Sequence, residues 1–188
     1  MEEKIVYFDS GGKHNTEATL SLVREAAERK GIKKVVLASI TGYSAEKALE
    51  IFKGSKINIV VVSLKGIGSG FPSNLLQKLE HAGHKVIFAQ DVKYEFPENV
   101  QKTLWRFCEG MKVCVEIVLI ATDAGLIKPG EEVIAVAGTG MLGYEKGGGV
   151  DTAIVMESIR SQQFLQLETI FGMKEQRRKI KEILCKPR

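Results

Sequence analysis

Four stretches of this chain put short hydroxyl side chains among glycines: DSGGKHNT from Asp9 to Thr16, SITGYS from Ser39 to Ser44, SLKGIGSG from Ser63 to Gly70, and the run from Gly138 to Thr152. None assembles an acid, a base and a nucleophile, although Asp9, His14 and Cys108 each have the chemistry for one of those roles. What the stretches offer is backbone N–H groups and hydroxyls, the donors that hold an anion. The clearest case is Ser39–Ser44. It leaves the apolar run Val35–Leu37 and enters Ala45, Ala48, Leu49 and Phe52, which recur at helical spacing. The first N–H groups of a helix have no partner inside it and sit at the positive end of its dipole, so phosphate groups bind there. The same composition also serves an ordinary βα turn, and this window alone leaves both readings open. Candidate ligand contacts are Ser39, Thr41, Gly42, Tyr43 and Ser44 in this turn. Ser10, Gly11, Asn15 and Thr16 join them from the first stretch, Gly66 and Gly68 from the third, and Thr139, Gly140, Met141 and Asp151 from the last.

The elements that must position these residues alternate. Ile5–Phe8 reads as a strand, followed by a helix capped at Asn15 or Thr16 and ended by Gly31. Strand 35–38 and helix 45–53 come next, then the β-branched run Ile57–Val62, which is apolar enough to be buried on both faces. A helix from Ser73 to Gly83, a strand over 85–89 and a helix running from Pro97 through Phe107 to Met111 follow. Residues 112–124 are β-branched but long and without alternation, and they read as a buried helix ended by Gly125. VIAVA and TAIVM are two more strands. Strand–helix repeats of this kind predict a single domain over 1–188, of three-layer α/β/α type, with a mainly parallel doubly wound sheet and an antiparallel edge strand. Ligands of such sheets sit outside the carboxyl ends of the strands, where all four stretches belong. Gly138 to Gly143 satisfies G-x-G-x-x-G after a strand, yet YEKGGGVD follows and cannot open a helix, so a dinucleotide fold is excluded.

At 188 residues, 44% hydrophobic and 27% charged, the composition is that of an ordinary globular protein, with nineteen glycines as its excess. No run approaches the roughly 20 apolar residues that span a bilayer, so no membrane partner is expected and a cytoplasmic location is the default. Three cysteines and three histidines have no metal-type spacing, and no metal is expected. His81 and His84 are read as solvent-facing. The net charge of +4 is local, since Met173–Arg188 holds seven basic residues against two acidic ones. That segment reads as a basic C-terminal helix over about 173–186. Without an aromatic platform beside it, no nucleic-acid partner is expected.

Two stretches resemble a known family. ATLSLVREAAERKGIKKVVLASITGYSAEKALEIF is similar to the opening of the C-terminal α/β domain of pyruvate kinase, and DAGLIKPGEEVIAVAG with GGGVDTAIVM is similar to its close. In that domain the corresponding loops form a sugar-bisphosphate effector site, so the resemblance implies phosphate contacts from Ser39, Thr41, Gly42 and Ser44. Ile40 and Thr41 depart from the usual hydroxyl pattern, and no catalytic barrel fits in the chain, so kinase activity is not implied. The similarity is greater to small stand-alone proteins built on this domain that begin with a DSGG-x-x-NT loop, and for these the resemblance implies FMN as cofactor with no reaction named. The 39–44 turn would then hold the phosphate, Asn15, Thr16 and Asp151 the ribityl chain, and Phe71, Met141 or Leu142 the ring. The alternative is another phosphorylated metabolite, such as a sugar phosphate. Self-association is left open.

Overall fold

Val35, Val36 and Leu37 are fully enclosed, as are Ile59, Val61, Ile134, Ala135 and Val136. Strands enclosed on both faces belong in the middle of a sheet covered by helices. The computed structural model describes residues 4–66, 70–139, 148–164 and 179–188. Its strands are β1 (Val6–Phe8), β2 (Lys34–Ala38), β3 (Asn58–Ser63), β4 (Lys85–Phe88), β5 (Glu132–Ala137), β6 (Thr152–Glu157) and β7 (Ile180–Pro187). The helices are α1 (Thr16–Lys30), α2 (Tyr43–Ile51), α3 (Ser73–His81), α4 (Glu98–Trp105), α5 (Glu109–Asp123) and the single turn α6 (Ser161–Phe164). The strands form one sheet in the order β1-β7-β6-β5-β2-β3-β4. Every pairing is parallel except the two made by β6.

Alternate residues of each inner strand feed two separate cores. Val35, Leu37, Ile59, Val61 and Val136 pack on Leu20 and Val23 of α1, Ala45 and Ala48 of α2, and Leu75 and Leu79 of α3. Val36, Val60, Val62, Ala135 and Ile154 pack on α5, from Met111 to Ala121. The long β-branched segment is therefore a helix, as its length implied. It is apolar nearly all round because the sheet covers one side and α4 another. Leu119, fully enclosed there, contributes about 2 kcal/mol by leaving water.

Three expectations need correction. The helix expected to run unbroken past Phe107 is two helices, because Cys108 is extended (φ 179, ψ 166) and caps a new start. Two residues on, Gly110 is pressed so closely against Thr152 that a side chain there would overlap it. The basic C-terminal helix fails over Ile180–Pro187, which is strand β7. Its apolar residues mimic helical spacing because the pairing with β6 is irregular in two places: Cys185, Ile183, Glu182 and Ile180 face Ala153 to Met156, leaving Leu184 and Lys181 as extra residues. Each bulge shifts the two-residue period by one. The remainder of the expected helix, up to residue 178, lies outside the described residues. Finally, His84 is half-buried, and its Nδ1 accepts the Ile59 N–H at 3.2 Å. Burial holds its pKa below the usual 6.5.

Candidate functional site

The carboxyl ends of β1, β2, β3, β5 and β7 share one rim, since β6 alone runs the other way. The turns after β2 and β5 therefore emerge side by side, and the turn after β1 reaches them past β7 and β6, where Gly12 N bonds Asp151. Leu37 and Val136 are direct partners, which sets Thr41 and Thr139 beyond adjacent strand ends. Gly68, Gly140, Met141 and Leu142 lie outside the described residues. Gly66 is described and stands apart: its neighbour Lys65 is tied to Gln90 and Asp91 beyond β4.

At the α2 end, Gly42 takes φ 88, which a side-chain-bearing residue adopts only with strain. A methyl on it would also come within 2.7 Å of Leu75 Cδ2 and 2.9 Å of Pro72 Cδ. The Gly42 carbonyl accepts the first intrahelical bond, from Glu46 N at 2.9 Å, so the N–H groups of Tyr43 and Ser44 have no acceptor within the helix. Ser39 Oγ, buried, takes the Ala45 N–H at 3.3 Å. Ser44 is buried beside it, while the Thr41 side chain is exposed. In front lies a cleft of about 260 Å³ lined by Thr41, Gly42, Tyr43, Glu46, Pro72, Asn74 and Leu75. Phe71, half-buried, packs on the core next to it.

The second cluster is built around Asp151, whose side chain is fully enclosed. Its Oδ2 accepts from Gly12 N at 2.8 Å, Thr139 N at 3.0 Å and Thr139 Oγ1 at 2.7 Å, and its Oδ1 accepts from Thr152 Oγ1 at 2.8 Å. Thr16 Oγ1 donates to Lys13 O at 2.7 Å and accepts Val150 N at 3.1 Å. Asn15 Nδ2 donates to Ser10 O at 2.7 Å. Gly11 packs so closely on Thr139 Oγ1 that no side chain fits. Thr16 and Asp151 were expected to touch a ribityl chain, but their oxygens are committed to joining the first loop to the last. They shape the site without lining it. Ser10, exposed, contacts His14 Nε2 at 3.3 Å.

One side chain joins the two clusters, and it is missing from the sequence-based candidates. Lys13 extends from the first loop and sets its Nζ 3.9 Å from the centre of the Tyr43 ring, at the first residue of α2. Its signal is a lysine that follows two glycines in a stretch whose hydroxyl residues, Ser10 and Thr16, flank it on either side. Lysine is so often a solvated surface residue that this signal was passed over.

Residues 17–156 match the family model described as the pyruvate kinase alpha/beta domain. The chain belongs to that family. The matched segment supplies β2 to β6 and thus both the α2 end and Asp151, and within it β6 is the antiparallel edge strand. The first loop, β1 and β7 lie outside it and continue the sheet past β6. In this member of the pyruvate kinase α/β-domain family, two of the strand ends at the rim, those of β1 and β7, therefore come from residues beyond the family segment.

No group of acidic, histidine and cysteine side chains among the described residues is arranged for a metal. Two acidic residues of α5 hold neighbouring groups: Glu116 pairs with Lys112 and accepts the Tyr94 hydroxyl, and Asp123 accepts the Ser161 N–H. Burial raises the Cys114 thiol well above its usual pKa and the Cys185 thiol to about 12, which keeps both protonated. No helix among the described residues is long and apolar enough to cross a membrane.

Proposed function

We propose that the protein binds a phosphorylated small molecule at this rim, with FMN as the ligand. The observation that carries the reading is the open α2 end: the Tyr43 and Ser44 N–H groups have no acceptor within the helix, a cleft lies against its first turn, and the Lys13 ammonium sits over the Tyr43 ring. A phosphate dianion gains there from the donors, the dipole and the cation together. The surroundings suit the rest of a flavin nucleotide, since Tyr43, Pro72 and Leu75 of the cleft wall supply apolar surface and Thr41 and Asn74 supply polar contacts. No residue set assigns a reaction. Thermal unfolding with increasing FMN tests the proposal, because a ligand that binds only the folded protein raises its melting temperature without saturating. A rise that is lost in Lys13→Ala supports the reading. No rise at millimolar FMN overturns it. A second ligand class, a sugar phosphate, is favoured by the polar wall of the cleft, where Thr41, Glu46 and Asn74 offer partners for hydroxyls. It predicts stabilisation by sugar phosphate and indifference to flavin.

A further inference from the structure

The carboxylate of Asp151 has no cation partner among the described residues, yet one of its oxygens gathers three donors from two distant loops. The residues just before it hold the same turn. Gly149, at φ 75, lies so near Lys13 that a methyl would come within 2.6 Å of its Cα, and Val150 N bonds the Thr16 hydroxyl that closes back on Lys13 O. Three consecutive residues, 149 to 151, thus grip the turn from Gly12 to Thr16 at three points. The side chain that leaves this turn toward α2 is Lys13.

We propose that Asp151 is a positioning residue: it fixes the Gly12–Thr16 turn against the last loop and thereby places the Lys13 ammonium at the phosphate end of the site. Its use for a ligand rests on the phosphate reading above, whereas the latch rests on geometry alone. A carboxylate suits the task because it only accepts, and it can serve converging donors that an amide would in part repel. The turn lies outside the family segment and its grip lies inside, so the latch fastens an added loop to an inherited domain.

The test uses Asp151→Asn, which keeps the shape, and Thr139→Val, which removes a single donor and guards against failure of the first variant to fold. By NMR, the Lys13 side-chain signals of the unmodified protein are displaced by the Tyr43 ring, and the amides of Gly12 and Thr139 exchange slowly. In Asp151→Asn both amides exchange faster together and the Lys13 signals move to those of an exposed lysine. Thr139→Val shifts them in the same direction by less. FMN affinity falls about tenfold in Asp151→Asn, the scale of losing one hydrogen bond to a charged group. In Asp151→Asn combined with Lys13→Ala it falls no further than in Lys13→Ala alone, because two changes acting through one group do not add. Lys13 signals that stay displaced in both variants, or affinity losses that multiply, overturn the proposal. If the unmodified protein binds neither FMN nor a sugar phosphate, the functional reading falls while the NMR arms still decide the latch.

Discussion

The Asp151 cluster and the α2 end are both made of glycine and hydroxyl residues on the same rim, yet they dispose of their donors in opposite ways. Around Asp151 the N–H groups of Gly12 and Thr139 and the hydroxyls of Thr139 and Thr152 all end on one enclosed carboxylate. At α2 the N–H groups of Tyr43 and Ser44 end on nothing within the helix, and the cleft in front is open. One cluster carries its own anion; the other, on the function proposed above, takes its anion from outside. Composition does not separate the two cases. What separates them is whether a carboxylate accepts those donors, as Asp151 does and Glu46, on the cleft wall, does not.

That contrast can be broken by substitution. Asp151→Leu leaves four donors without an acceptor in a closed space and should lower stability by about 4 kcal/mol in urea unfolding. A loss below 1 kcal/mol would show that water replaces the carboxylate freely. Gly42→Ala forces a side chain into a strained turn and against Leu75 and Pro72, which should cost about 2 kcal/mol and abolish stabilisation by ligand. Thr41→Glu places an anion where the guest's phosphate would lie. Stability should stay within about 0.5 kcal/mol, since an exposed carboxylate at a helix N-terminus is itself favourable, while the melting-temperature rise with FMN disappears. Glu46→Gln removes the acidic group on the cleft wall and should tighten phosphate ligands by about 0.5 kcal/mol, read by titration calorimetry.

A control comes from His84, at the opposite edge of the sheet. Burial lowers its folded pKa below 6.5, so the fold prefers the neutral ring. The stability this provides is present above pH 6.5 and is lost as pH falls through the folded value. His84→Gln should remove that part of the pH slope and leave ligand binding unchanged.

The alternation of strands and helices and the burial of residues 112–124 could be read from the chain because each is written in local spacing. That the turns leave one side of the sheet was legible for the same reason, since parallel strands send their ends the same way; whether they meet depends on the strand order, which local spacing does not carry. The strand at 180–187 was hidden by its two bulges, which no local pattern announces. The role of Asp151 was hidden more deeply. Its partners Gly12 and Thr139 lie 139 and 12 residues away, and an isolated aspartate before a strand carries no mark of enclosure. Lys13 was overlooked because its meaning depends on Tyr43, thirty residues on, standing at the start of a helix.

The position of β1 and β7 beyond β6 bears on how the protein can be cut. A fragment trimmed to the family boundaries, 17–156, would keep every long helix and still lay bare the flank of β6, wholly apolar from Ala153 to Met156, as an open ribbon in water. Ribbons of that kind recruit copies of themselves. Such a fragment should form secondary structure and then precipitate, since β1 and β7 act as a hem that keeps the sheet from fraying into its neighbours.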